Sequence, residues 1–159
     1  MNLNKFTQRS QEALQEAQSL ALRLNHGEVD GEHLLQVLLR QEDGLLPRIL
    51  TRMEVSVEAV TSAVAAALEK RPRVSGPGAQ THITRQLQQT LVRAEDEARQ
   101  LADEYVSVEH LALALIEAGR QTAAGQALAE AGVTRDRFLA ALQAVRGNQR
   151  VTSDNPEAA

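Results

Sequence analysis

Residues 103–111 read Asp-Glu-Tyr-Val-Ser-Val-Glu-His-Leu, and residues 26–34 read His-Gly-Glu-Val-Asp-Gly-Glu-His-Leu. The second stretch repeats the first at a shift of 77 positions (from 26 to 103), and the shift continues on both sides. Self-similarity at a fixed spacing is typical of a duplicated supersecondary unit. The matching pairs are Thr7 and Thr84, Leu14 and Leu91, Ala17 and Ala94, Ala21 and Ala98, Leu24 and Leu101, Val29 and Val106, Leu38 and Leu115 and, after one inserted residue, Leu50 and Leu128, and Val55 and Val133.

Each copy predicts four helices, because apolar residues recur at three- and four-residue steps between N-capping and breaking residues. Gly27 suits a left-handed position after the first helix. The predicted helices of the first copy run from about Thr7 to Asn25, from Gly31 to Gln41, from the turn at Pro47 to Met53, and from Ser56 through Leu68; those of the second begin at Thr84, Ser107, Thr122 (ending at Ala131) and Thr134.

This pattern predicts one all-α domain over residues 1–146, a tandem pseudo-twofold repeat of a four-helix unit with about eight helices. Repeat one covers 1–70 and repeat two covers 82–146. Residues 71–81, with two prolines and two glycines, form a linker between them. Residues 147–159 lack periodicity and are expected to form a solvated, flexible tail.

Composition excludes several classes of site. The chain has no cysteine, so disulfides and thiolate chemistry are excluded. Its net charge of -4 is spread among mixed charges, which disfavours nucleic acid as a partner. No apolar run approaches the roughly 20 residues that a membrane-spanning helix needs, and no signal peptide is recognisable. The cytoplasm is therefore the expected location, without a membrane partner.

Catalytic and cofactor motifs are missing from the sequence. It contains neither a phosphate-binding Gly-x-x-x-x-Gly-Lys-Ser/Thr loop nor a Gly-x-Gly-x-x-Gly or His-Glu-x-x-His pattern. His33 and His110 occupy equivalent positions in the two copies, and we interpret them as partly exposed first-turn residues rather than metal ligands. We therefore expect a non-enzymatic chain with no metal or cofactor, and an enzyme with an unrecognised site stays an alternative.

The two copies differ most where their first helix ends. The first copy has His26-Gly27 there, whereas the second has Asp103-Glu104. Carboxylates at the negative end of a helix dipole are locally unfavourable. Either both are solvated surface charges or they mark a functional site, since a broken local rule often has a functional reason.

The same residues resemble the amino-terminal domain of the Clp ATPase chaperones, and within that family the disaggregase type. The resemblance covers essentially the whole chain. It rests on Phe6-Thr7, on Glu12-Ala13-Leu14 with Ala17, Leu20 and Ala21, on 29–35 with Leu38-Leu39, on Arg71-Pro72-Arg73-Val74, on Asp103, Tyr105, Val106, Ser107 and Glu109, and on Gly132-Val133-Thr134.

The resemblance implies a substrate-docking module for unfolded or aggregated protein, attached to AAA+ ATPase modules that bind ATP and magnesium and assemble as a homohexamer, with an Hsp70-type chaperone as a candidate partner. A polar set implied in docking maps onto Thr7, Asp103 and Glu109. If the copies pack antiparallel, these three lie together as one polar patch beside Tyr105. Substitution of either carboxylate is then expected to leave the fold intact.

The chain also departs from the family pattern. Some relatives carry exposed leucines at the positions of Arg93, Glu97 and His110, which are polar here. These three are further candidate substrate-binding residues, and they predict a mixed polar surface rather than a purely hydrophobic groove. Arg93 and Glu97 are four residues apart and can pair on one helical face. An adaptor-binding domain of a protease-partner unfoldase remains the alternative function.

Overall fold

The computed structural model describes residues 3–75, 80–147 and 149–156. Within them, eight α-helices divide into two sets of four, which confirms the all-α prediction. The first set is α1 (Gln8–Arg23), α2 (Gly31–Arg40), α3 (Leu45–Arg52) and α4 (Val57–Glu69); the second is α5 (Arg85–Gln100), α6 (Val108–Glu117), α7 (Ala123–Glu130) and α8 (Arg135–Arg146).

The predicted capping residues lie where the helices begin. In five helices a hydroxyl oxygen accepts a hydrogen bond from the backbone N–H three residues later, which satisfies a donor that the helix leaves unpaired. Asp30 and Ser107 instead form capping boxes with the histidines three residues on. The five hydroxyl caps are Thr7, Ser56, Thr84, Thr122 and Thr134.

The helix endings differ from the sequence prediction in one respect. The left-handed residue after α1 is Asn25, with φ of 60°, and not Gly27. Its equivalent after α5 is Ala102, with φ of 59°. The duplication therefore keeps the turn geometry even though neither copy has glycine at this position.

Two equivalent helices form the centre of the domain. Every residue from Gly31 to Leu39 in α2 is buried, and so is every residue from Val108 to Leu115 in α6. Both helices are apolar over most of their circumference, as expected for a helix with neighbours on all sides. Helices from both copies surround them, and Phe6 and Phe138 are fully buried in the same core.

Each copy also reaches across to the other through short extended segments. Strand β1 (Glu28–Val29) of the first copy pairs in parallel with β2 (His82–Ile83) of the second. Phe6 and Val106 form a parallel bridge at the equivalent place on the opposite side. The segment before each copy's first helix thus pairs with the loop before the second helix of the other copy, as pseudo-twofold symmetry requires.

The segments outside the helices are partly anchored. In the predicted linker, the Val74 N–H donates to the Asn25 carbonyl oxygen at 2.7 Å, and residues 76–79 lie outside the described residues. The predicted solvated tail is wrong at Val151, which is 5% exposed. Residues 148 and 157–159 of that tail are also outside the described residues. No helix in residues 3–75, 80–147 or 149–156 combines the length and apolar character needed to cross a membrane.

Candidate functional site

The loop between α5 and α6 lies beside the start of α1. The Val106 N–H donates to the Lys5 carbonyl oxygen at 2.7 Å, and the Thr7 N–H donates to the Val106 carbonyl oxygen at 2.9 Å. Pairing between the copies therefore places Thr7 next to the loop that connects Asp103 with Glu109, although Thr7 is far from both in sequence.

Thr7 presents nothing to solvent in this arrangement. Its side chain is fully buried. The Oγ1 atom accepts a hydrogen bond from the Ser10 N–H at 3.2 Å and donates to Ser10 Oγ at 3.0 Å. Thr7 therefore serves as the N-cap of α1, and the expectation that its hydroxyl belongs to an open patch is wrong.

Asp103 and Glu109 belong to one buried ion-pair cluster centred on Arg146, at the end of α8. The Arg146 guanidinium contacts Asp103 Oδ1 and lies 3.1 Å from Glu109 Oε2. Asp103 also accepts from the Val151 N–H at 2.8 Å and from His110 Nε2 at 2.7 Å. Glu109 also accepts from Ser107 Oγ.

This cluster explains why a carboxylate is tolerated at Asp103, just beyond the end of α5. Burial by itself raises the pKa of Asp103, but hydrogen bonds from His110 and Arg146 outweigh burial and hold the pKa below its ordinary value. The unfavourable helix-dipole contact of a carboxylate is small, some tenths of a kcal/mol, beside these contacts. The neighbouring sequence offers no partner that offsets the charge of Asp103. Arg146 and the Val151 N–H supply those partners in the folded structure.

The interpretation of Asp103 as a solvated charge is consequently wrong, and so is the assignment of Asp103 and Glu109 to an open patch. Their side chains are 0% and 3% exposed. Removing one partner of a buried ion pair costs about 3–5 kcal/mol because it leaves the other charge unpaired. Substitution of Asp103 is therefore expected to disturb the fold, so it is no clean probe of a binding surface; this replaces the expectation from the sequence that the fold stays intact.

His110 is also fully buried, which corrects the prediction of a partly exposed residue. Its Nδ1 accepts from the Ser107 N–H at 2.8 Å, so the proton resides on Nε2 and points at Asp103. His110 thus completes both a capping box and the ion-pair cluster.

The first copy carries a different group at the equivalent place. His26 replaces Asp103, and its Nδ1 lies 2.8 Å from Nε2 of His33, the equivalent of His110. Arg71 lies beside this pair and binds Glu32 at 2.8 Å, Asp30 at 2.6 Å and Glu28 at 3.1 Å. In each copy, an arginine at the end of the last helix (Arg146) or just beyond it (Arg71) therefore anchors the first-turn glutamate of the central helix.

The three further candidate residues, Arg93, Glu97 and His110, do not form one surface. Arg93 is exposed and lies 3.6 Å from Glu97, so the predicted pair on α5 is present. Glu97 itself is fully buried, and Arg135 of α8 binds both of its carboxylate oxygens at 2.6 and 2.7 Å. With His110 also buried, only Arg93 of this set is accessible.

Tyr105 lies at the edge of a surface groove of about 520 Å³. The ring is half-buried, and Lys5, Arg99 and Glu104 line the same groove. This groove is mixed in charge. Of the predicted set, Tyr105 and Asp103 both line it, but the Asp103 side chain has no exposed surface there.

An apolar groove of about 500 Å³ lies between α1 and α5, although the sequence favoured a mixed polar surface over a purely hydrophobic groove. Val92 is 55% exposed and Leu3 is 45% exposed. Val92 falls outside the apolar stripe of α5, which is the one signal that could have indicated the groove. Its apolar lining is Leu3, Leu14, Ala17, Val29, Ile83, Leu87, Leu91 and Val92, and its polar rim is Gln18, Gln88 and Glu95.

The groove follows the internal symmetry of the domain. Leu14 of α1 and Leu91 of α5 are equivalent positions, and so are Gln18 and Glu95 on the rim. A groove between equivalent helices presents similar apolar walls from both sides. Such a shape suits an extended apolar segment better than a small polar ligand, because few polar groups converge in it.

Comparison with known proteins agrees with the fold and the sequence pattern. The Clp repeat (R) N-terminal domain family matches residues 5–131. A ClpB chaperone of Nitratidesulfovibrio vulgaris is 51% identical over 160 residues, and one of Bacillus cereus is 46% identical over 161 residues. Each match covers 99% of this chain and 18% of the relative, so the chain spans less than a fifth of their length.

Solved structures show the same architecture. The Hsp104 N-terminal domain of Candida albicans superposes with a TM-score of 0.81 at 25% identity, covering 94% of this chain and 97% of that chain. The resemblance inferred from sequence motifs is confirmed by both comparisons. The chain therefore belongs to the Clp repeat N-terminal domain family and is similar to the N-terminal regions of ClpB chaperones.

Proposed function

We propose that this chain is the polypeptide-docking module of an ATP-dependent protein disaggregase. In this proposal, unfolded or aggregated polypeptide binds in the apolar groove between α1 and α5. The observation that carries it is the groove itself, whose wall includes the half-exposed Val92 and Leu3. Exposed apolar surface of this kind often marks a site of protein interaction.

In this proposal, a single domain binds polypeptide only weakly. Burying one valine-sized side chain contributes about 1.5–3 kcal/mol, and ordering a flexible polypeptide opposes it. Several domains on one ring would raise the effective concentration and compensate for weak individual binding. The homohexamer, its ATP- and magnesium-binding modules and an Hsp70-type partner are parts of this proposal.

The predicted polar residues take revised roles in it. Thr7, Asp103 and Glu109 support the fold from inside, whereas Tyr105 and Arg93 are accessible and remain candidate contacts. The rim residues Gln18, Gln88 and Glu95 add polar contacts around the apolar wall. Peptide backbone groups that enter the groove would find hydrogen-bonding partners there.

A pair of matched substitutions tests the groove. Val92 and Leu22 are both 55% exposed, but only Val92 lines the groove. The Val92→Asp variant is expected to raise the Kd for an unfolded, non-aggregating polypeptide about tenfold, since about 1.4 kcal/mol of contact is lost. Leu22→Asp is expected to leave the Kd within twofold. NMR titration of the 159-residue chain measures both.

Equal affinity in both variants would overturn the assignment of the groove. A domain that ignores unfolded polypeptide but binds a folded adaptor protein would instead favour the protease-partner function. Circular dichroism of the two variants provides the folding control, because both substitutions lie on exposed helix surfaces and neither removes a buried side chain.

A further inference from the structure

Residues 149–156 lie against a notch formed by the α5–α6 loop and the ends of α1 and α8. The Val151 N–H donates to Asp103 Oδ1 at 2.8 Å, and the Val151 carbonyl oxygen accepts from the Glu104 N–H at 2.8 Å. Both backbone groups of one residue are therefore held by two consecutive residues of the loop, and Val151 itself is buried.

Two further contacts fix the ends of this segment. The Gln8 N–H, at the start of α1, donates to the Asp154 carbonyl oxygen at 2.6 Å. Such first-turn donors have no partner within their own helix, so the segment satisfies one of them. At the other end, Arg146 Nε donates to the Gln149 carbonyl oxygen at 2.6 Å. Arg146 thus joins the segment to the buried carboxylates of Asp103 and Glu109.

Residues 149–156 make few contacts with the domain for a segment of this length. Val151 is its one buried residue, while residues 149–150 and 152–155 are exposed. A groove of about 580 Å³ remains between the segment, α1 and the start of α6. Ordering eight residues has a large entropic cost, and segments with few buried contacts open more readily than the core does.

We propose that this notch is a latch for residues 149–156, and that Asp103 and Arg146 hold it closed. Docked, the segment keeps the chain that follows α8 close to the domain. Released, eight residues in extended form lengthen the tether by up to about 26 Å. In ClpB relatives the matched region is 18% of the protein, so a latch here would set how far the domain reaches from the remaining modules.

The latch differs from the binding role that the sequence predicted for Asp103. The carboxylate contacts the chain's own tail and two side chains of the domain, not an external polypeptide. The latch does not depend on the α1–α5 groove, so the two can fail separately; its effect on reach rests on the ATPase modules of the proposed function.

The test uses Val151→Asp in the 159-residue chain, with Thr152→Asp as the matched control at the exposed neighbouring position. Placing a charge at Val151 is expected to release the segment. Amide hydrogen exchange at Glu104 and Gln8 should become at least tenfold faster, and so should cleavage within residues 149–156 by subtilisin, a protease of broad specificity. Thr152→Asp should leave all three rates within twofold of the parent chain.

The following outcomes would overturn the latch. Unchanged exchange and cleavage in Val151→Asp would mean that the segment is not held at Val151. A loss of several degrees in the melting temperature of the helices would mean that the segment belongs to the core and does not open separately. All measurements are made without added polypeptide. The Val92→Asp variant should keep the segment protected from exchange and cleavage. Failure of the groove assignment would therefore leave the result for the latch unaffected.

Discussion

His26 and Asp103 show how one position can keep its place in the fold and change its chemistry. Both follow the left-handed turn after the first helix of their copy, and both hydrogen-bond the histidine of the central helix. Asp103 is held as a charged partner of Arg146. His26 forms a pair with His33, whose Nδ1 accepts from the Asp30 N–H at 2.9 Å, so His33 donates through Nε2. That pair requires both rings to be neutral.

The histidine pair predicts an acid-dependent loss of stability. Burial, followed by the nearby Arg71, lowers the pKa of His33 to about 4, and the same two causes lower the pKa of His26. An unfolded histidine titrates near 6.5, so between pH 6.5 and 4 the unfolded state binds more protons. The free energy of unfolding should therefore be highest above about pH 6.5 and fall by about 3 kcal/mol, from His33 alone, as the pH falls to 4.

Urea unfolding at several pH values measures this slope. The His33→Gln variant should have a flatter pH dependence than the parent chain, because glutamine can accept and donate at the same places without titrating. His82→Gln provides the matched control, since His82 is exposed and lies outside the His26–His33 pair. Identical slopes for His33→Gln and the parent would contradict this explanation.

At the scale of the elements, the two long helices α1 and α5 end in the same backbone turn but with different residues. Asn25 after α1 tolerates a left-handed backbone better than most residues, whereas Ala102 after α5 does not. A left-handed conformation costs a residue with a Cβ about 1–2 kcal/mol. The turn persists in the second copy because the Asp103 N–H donates to the Ala98 carbonyl oxygen at 2.9 Å and leads the chain into the ion-pair cluster.

Ala102→Gly should therefore stabilise the protein by about 0.5–1 kcal/mol, since relief of the left-handed strain exceeds the added entropy of the unfolded chain. Ala102 is exposed, so no packing is lost. Ala140→Gly, at an exposed position inside α8, should destabilise it by about 1 kcal/mol. Thermal unfolding of both variants gives the sign of each change in stability. A destabilised Ala102→Gly variant would refute the strain argument.

At the scale of the whole molecule, neither copy is a separate folding unit in its structure. Helix α3 packs against α8, and α4 packs against α7, so helices of different copies share one core. The Phe6–Val106 and Val29–Ile83 pairings cross between the copies as well. A four-helix copy of about 70 residues is of marginal size for a core of its own, so we expect each copy to depend on the other.

The domain is therefore expected to unfold in a single transition, with equal calorimetric and van't Hoff enthalpies. Ile49→Val in α3 should cost about 0.5–1.5 kcal/mol and should speed globally limited amide exchange equally in α1–α4 and α5–α8. A variant that affects only the first copy, or a parent chain that melts in two steps, would show that the copies fold independently.

The sequence by itself determined the duplication, the helix starts and the fold class, because periodicity, capping hydroxyls and breaking residues act over a few neighbouring positions. It also identified Asp103 as unusual, since a carboxylate at the end of a helix violates a local rule. Only the tertiary structure decided what the violation means. Arg146 and the Val151 N–H, which compensate the charge of Asp103, are 43 and 48 residues away in sequence. The apolar groove likewise exists only because the two copies place α1 and α5 on opposite sides of it. Interactions between residues so far apart leave no periodic trace in the sequence, so burial and surface exposure at this site depend on how the two copies pack together.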